Sequence, residues 1–328
     1  MGLSVRAMLD LLDDDARALA ETVLREAPPP PYSRYGVDTV RAMFDSANPV
    51  DGSDPDLDVV DLRVPTAAGV VRVRAYRPTG GGVRPALVYL HGGGFVIGTL
   101  GGVDALCRTL ARDVGCVVVS VDYRRAPESV FPAAADDCLA VYDWLERASG
   151  ELGIDASRLA LAGDSAGGNL ALSVCTSLAA AGRAQPACLV LAYPATSARF
   201  EGSSWEVYED APILCRADAE WMVGLYLDGP DAACDPRAVP ELSAALHVLP
   251  PMLIISAEVD PLRSDYERFA AAAAWAGSEV ELSRYDGVAH GFFTEVESVA
   301  KAREAVSEAS GFLCRHLAAR PVATRYGG

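Results

Sequence analysis

From residue 86 onward, short apolar runs alternate with longer amphipathic stretches. The runs at 86–90, 116–121, 159–162, 189–193, 252–257 and 280–285 predict strands. Stretches near 103–113, 133–148, 264–276 and 298–319 predict helices, as does the one following 159–162, which Gly182 can cap. Apolar strands alternating with helices make this an α/β fold, a mostly parallel sheet covered on both faces. Ahead of it, 57–64 and 70–77 are rich in β-branched residues and flank a turn at 65–69, the pattern of a hairpin.

Two regions depart from this alternation. Residues 3–26 have helical spacing, with Leu9, Leu12, Ala16, Leu19 and Val23 on one face and Asp13, Asp14 and Asp15 on a solvated one. Prolines at 28–31 end that helix and act as a stiff spacer before a second short helix at 38–47. Residues 196–250 carry Trp205, Tyr208, Trp221 and Tyr226 but no clear strand. The expected organisation is therefore a helical cap segment at 1–50, core at 51–195, a cap insertion at 196–250, and core again at 251–328.

The chemistry gathers where predicted strands end. The run at 159–162 leads into Gly163-Asp164-Ser165-Ala166-Gly167 and then a helix. Strand, sharp turn and helix with serine at the apex is a nucleophile elbow, in which small neighbours leave room for a strained turn. Acyl transfer by serine also needs a base, a carboxylate that orients the base, and donors for the oxyanion. In an elbow hydrolase the acid and the histidine follow the serine in that order, at strand ends. Asp260 directly follows the run at 252–257 and its Glu258-Val259, and His290 lies in the loop after 280–285. Asp265 and Asp286 compete with Asp260, but the first reads as a helix-start acid and the second lies in the histidine's own loop. The run at 86–90 ends in His91-Gly92-Gly93-Gly94, where bare amides can approach a developing charge. A phosphate-cradling loop would want a following Lys and Ser/Thr, and Phe95-Val96-Ile97 stands there instead. His91 is read as shaping that loop, His247 as a loop residue and His316 as a helix-face residue.

Composition narrows the partners. The chain has 328 residues, and 45 acidic against 28 basic side chains give a net charge of −17, which argues against nucleic acid and anionic membranes. The 51% hydrophobic content supports a large core. Eight scattered cysteines and four histidines form no metal-ligand spacing, so neither a metal nor a cofactor is expected. Isolated cysteines fit a reducing cytoplasm. No basic segment followed by an apolar run opens the chain, so no signal peptide is expected, and the alanine-rich run 269–276 is too short to span a bilayer.

Taken together, His91-Gly92-Gly93-Gly94, Asp122-Tyr123-Arg124-Arg125-Ala126-Pro127-Glu128, Gly163-Asp164-Ser165-Ala166-Gly167-Gly168-Asn169, Asp260-Pro261-Leu262 and His290-Gly291-Phe292 resemble the hormone-sensitive-lipase-like α/β-hydrolases, the bacterial family IV esterases. The resemblance spans about residue 85 to the C-terminus. It implies an α/β-hydrolase fold with a helical cap, a Ser165–Asp260–His290 triad, and an oxyanion hole from the amides of Gly93, Gly94 and Ala166. It implies hydrolysis of small or short-acyl esters, and a homodimer through the last strand and helix. Arg125 stands where the family often has Leu, a change expected to affect local packing. The stretch at 235–246 matches only loosely and leaves the pocket unread. Two other functions share these residues: a lactonase, acyltransferase or cyclase using the same triad, and a non-catalytic ligand-binding protein on the same scaffold. The second usually lacks the triad histidine, which is present here as His290.

Overall fold

Successive side chains on a strand point to opposite faces, so an apolar run without alternation must be covered on both sides. The computed structural model, which describes residues 2–27, 30–47 and 54–318, meets that requirement with one eight-stranded sheet. Its strands are β1 (Leu57–Thr66), β2 (Gly69–Pro78), β3 (Arg84–Leu90), β4 (Val117–Asp122), β5 (Ile154–Asp164), β6 (Leu189–Ala192), β7 (Met252–Val259) and β8 (Val280–Ala289). Their order is β1-β2-β4-β3-β5-β6-β7-β8. β1 pairs antiparallel with β2 and β2 with β4, and every pairing from β4 through β3 to β8 is parallel. The whole of β6 and the central residues of β3, β5 and β7 are buried, and they form the core with the helices against them. All the parallel strands therefore end on the same edge of the sheet.

The helices are α1 (Val5–Leu9), α2 (Asp14–Glu26), α3 (Val37–Ala47), α4 (Asp104–Val114), α5 (Ala133–Leu152), α6 (Ala166–Ala180), α7 (Ser203–Val207), α8 (Arg216–Tyr226), α9 (Arg263–Ala276) and α10 (Ala300–Leu317). Among the described residues, no helix is long and apolar enough to cross a membrane.

The N-terminal pattern predicted a single helix over 3–26, and the structure breaks it after Leu9. The cause is tertiary. The amide of Asp13 donates to the Gly287 carbonyl (2.9 Å), and its carboxylate pairs with Lys301, the chain's single lysine, at 2.7 Å. Asp15 accepts from the Ala300 amide (2.7 Å) at the start of α10, where an acid also suits the helix dipole. Asp13 and Asp15 thus clasp the core, and of the three acids Asp14 is the one that simply faces solvent. Met8, Leu12, Ala16 and Ala20 are the buried positions of α1, α2 and the link between them, so the apolar stripe runs beside the predicted one. Two of the prolines at 28–31, Pro28 and Pro29, lie outside the described residues, as does residue 319 of the predicted last helix. Residues 196–250 contain no strand but do contain α7 and α8, helices that the apolar pattern does not predict.

Candidate active site

At the junction of β5 and α6, Ser165 has φ 53° and ψ −117°, a backbone conformation that costs a non-glycine residue strain. The neighbouring glycines are there for space. A Cβ on Gly163 would collide with the backbone of Gly167, and a Cβ on Gly167 with the Leu90 carbonyl of β3. The turn is held from β6, where the Ala192 carbonyl accepts the Ser165 amide at 2.9 Å.

Asp260 follows the last residue of β7 and His290 the last residue of β8, so the parallel register delivers both to the serine. His290 Nδ1 lies 2.8 Å from Asp260 Oδ2, and His290 Nε2 lies 2.9 Å from Ser165 Oγ. Asp260 is fully buried; Oδ1 accepts the Leu262 amide (2.8 Å) and Oδ2 the Tyr266 hydroxyl (3.1 Å). The Tyr193 ring packs 4.6 Å from the imidazole, and its hydroxyl accepts the Phe293 amide (3.1 Å) in the histidine's loop. The competing acids are engaged elsewhere. Asp265 accepts from Trp205 Nε1 (2.8 Å) and Arg268 (2.9 Å), and burial pushes its carboxyl up to about 6. Asp286 is exposed and pairs with Arg284 at 3.0 Å.

The glycine loop after β3 is tied down from three sides. Asp164 Oδ1 accepts both the Gly92 amide (3.0 Å) and the Tyr89 hydroxyl (2.8 Å), and burial raises its carboxyl above the usual range. Tyr123 donates to the His91 carbonyl (2.8 Å) and stacks on its ring at 4.3 Å. Burial pushes the His91 imidazole down to about 4, so it is neutral and its Nδ1–H donates to the Gly92 carbonyl (2.7 Å). His91 is a shaping residue. Arg125 donates to the Gly98 carbonyl (2.9 Å) and so braces the loop's far end. Gly93 and Gly94 line the same cavity as Ser165, Ala166 and His290. Ala166 is the first residue of α6, where a helical amide has no acceptor within its own helix.

That cavity has a volume of about 190 Å³. Its upper walls come from outside the sheet: Tyr32, Phe200, Trp205, Ile213, Leu214 and Met222. Met222 of α8 packs so closely on Gly94 that a Cβ there would collide with its sulfur. No motif marks Tyr32 or Met222 in the sequence; the signals that pointed to this side are the cluster of aromatics at 196–250 and the helical segment at 1–50, both expected as cap. Among the described residues, Glu279, Glu281 and His316 have a spacing that could gather a cation, but Arg315 already pairs with Glu281 at 2.9 Å.

A family profile described as alpha/beta hydrolase fold matches residues 87–294. The chain is 40% identical to the carboxylic ester hydrolase LipN of Mycobacterium tuberculosis over 74% of its length and 66% of that relative's. It is 36% identical to the ethyl acetate hydrolase of Pseudomonas putida, over 88% of this chain and 92% of that one. Among solved structures, a thermostable esterase from Pseudomonas putida superposes with a TM-score of 0.88 at 28% identity, covering 94% of this chain and 98% of the other. The fold and its site define a serine hydrolase of the α/β type. Within that class the chain belongs to the hormone-sensitive-lipase-like esterase family, and it is a carboxylesterase.

Proposed function

We propose that this enzyme hydrolyses small, short-acyl carboxylic esters through an acyl-enzyme on Ser165. The observation that carries the reading is the continuous line Asp260–His290–Ser165, at 2.8 and 2.9 Å, ending on a strained serine at the floor of an apolar cavity. Ser165 Oγ attacks the ester carbonyl while His290 Nε2 takes its proton, and Asp260 holds the Nδ1–H tautomer. The amides of Gly93, Gly94 and Ala166 receive the oxyanion. His290 then protonates the leaving alcohol and activates the water that frees the acid.

Cavity size supports the substrate class. An engineered apolar cavity of roughly 150 Å³ accommodates benzene, so the 190 Å³ here suits a short acyl group and a modest alcohol. Residues 1–50 and 196–250 together act as the cap over Ser165, with 51–195 and 251–328 as the core. Eight unpaired cysteines support a reducing, cytoplasmic setting. The outer edge of β8, the last strand of the sheet, supports pairing with a second copy there.

The test is an ester panel graded in acyl length, with lactones and amides included, run on the wild type and on Ser165→Ala. Short linear esters turn over fastest, and the variant is inactive and unlabelled by a fluorophosphonate probe. Activity of Ser165→Ala within tenfold of wild type overturns the reading.

A further inference from the structure

Among the described residues, the contacts that attach the N-terminal segment to the rest of the chain include the following. The Asp13 and Asp15 clasp grips α10, and the Leu3 amide donates to the Val207 carbonyl (2.9 Å). Arg41 donates to the carbonyls of Val96 (2.8 Å) and Ala126 (2.6 Å) and pairs with Glu128 (2.7 Å). One more is of another kind. The amide of Tyr32, at the start of the short 3-10 turn Tyr32–Arg34, donates at 2.5 Å to Asp218 Oδ1 on α8. Of these attachment residues, Tyr32 alone lines the cavity.

Asp218 is buried to 1% exposure. It meets the Cys215 thiol, which donates to Oδ2 at 3.1 Å, and the amides of Tyr32 and Ser33. Among the described residues no arginine or lysine pairs with it, and the one basic residue of its helix, Arg216, is turned to Glu220 (2.7 Å). Burial accordingly raises its carboxyl above the usual range. A buried acid without a counter-charge is costly wherever it is placed. Here it satisfies the orphan amides that open a turn, and that turn carries an aromatic side chain into the substrate cavity.

We infer that Asp218 is a positioning residue for substrate binding: it holds Tyr32 as a wall of the cavity above Ser165, which makes the N-terminal segment part of the substrate site. The inference rests on the esterase reading of that cavity and adds to it which residue sets its size. Met222 lies four residues after Asp218 on the same face of α8 and touches Gly94, so one helix fixes both the Tyr32 wall and the glycine loop.

The experiment measures kcat and KM for soluble esters from acetate to octanoate with the wild type, Asp218→Ala, Asp218→Asn, Tyr32→Ala and, as control, Ser165→Ala. Loss of the Asp218 hydrogen bonds that hold the Tyr32 turn raises KM about tenfold in Asp218→Ala with kcat within about twofold. Asp218→Asn keeps an acceptor for the Tyr32 amide and recovers most of the affinity. Tyr32→Ala leaves the backbone bond in place, removes the wall, and flattens the preference for acetate over octanoate. If Asp218→Ala does not fold, Tyr32→Ala and Asp218→Asn decide the matter. Wild-type KM and unchanged acyl preference in Tyr32→Ala overturn the inference, as does a fall in kcat at constant KM in the Asp218 variants. Hydrolysis by Ser165→Ala would instead remove the esterase reading, a result distinct from either.

Discussion

Replacing Asp260 by asparagine tests how the triad is wired. The Leu262 amide donates to Oδ1 at 2.8 Å, and only an oxygen can accept it, so the carboxamide oxygen occupies that position. The NH₂ group then stands where Oδ2 was, facing His290 Nδ1 at 2.8 Å and the Tyr266 hydroxyl at 3.1 Å. As a donor it requires a lone pair on Nδ1, which moves the imidazole proton to Nε2. That N–H points at Ser165 Oγ, 2.9 Å away, and cannot take the hydroxyl's proton. The geometry survives and the base is lost. A wrong tautomer of this kind lowers turnover roughly ten-thousandfold, about 5.5 kcal/mol of transition-state stabilisation. Asp265→Asn keeps an acceptor for Trp205 Nε1, and Asp286→Asn changes an exposed acid. Both stay within about tenfold of wild type, since neither acid contacts the imidazole. The assay is kcat on one soluble butyrate ester for the three variants, with circular dichroism to show that each is folded. Asp260→Asn within tenfold of wild type, or Asp265→Asn as the crippled variant, refutes the assignment.

Ser165→Ala lowers kcat on the order of a millionfold while its melting temperature stays near wild type, because the bond that holds the turn is the backbone amide to Ala192; a large drop in melting temperature would show that the side chain is structural. A soluble butyrate ester turns over faster than emulsified long-chain triglyceride, as a 190 Å³ cavity walled by Tyr32 and Met222 requires, and interfacial activation would contradict this. Stability gives the pH-dependent test. Burial lifts Asp265 from 3.8 to about 6, so between those values the folded protein keeps a proton that the unfolded chain has released. The stability this group contributes therefore falls as pH rises through that window and is level above it. Asp265→Asn removes this group's share of the slope, so its melting temperature gains on wild type from pH 4 to pH 7; a difference independent of pH would refute the assigned shift.

The core and the meeting of the three residues we assign to the reaction were legible for one physical reason. A parallel sheet buries both faces of each strand, which writes uninterrupted apolar runs, and it presents every strand end on one edge, where Ser165, Asp260 and His290 meet. Boundaries were less legible where strands leave the core. β5 begins at Ile154, earlier than the apolar run, because Ile154 pairs with Arg84 of β3 across a register shift; between that pair and Leu159, Asp155 Oδ1 accepts from Ser157 Oγ (2.6 Å) and Oδ2 from Arg158 (2.7 Å).

The upper side of the cavity follows a different rule, and that is why its pattern misleads. The buried face of α8 runs Asp218, Met222, Tyr226, each four residues from the last, which is the spacing of an amphipathic helix. An apolarity count misses it because its first member is an acid. The break after α1 has the same origin, since Asp13 and Asp15 are satisfied by Lys301, Gly287 and Ala300, partners nearly three hundred residues away in the sequence. Asp265, which carries Trp205 into the cavity wall, is a third case. Local sequence cannot distinguish a solvated aspartate from one that grips a distant amide or indole, because the distinction lies entirely in the partner. Small apolar positions would hold these segments down equally well by packing. Carboxylates hold them by directed bonds to single atoms, Tyr32 N and Trp205 Nε1 among them, and so fix the orientation of the aromatic walls that bound the substrate.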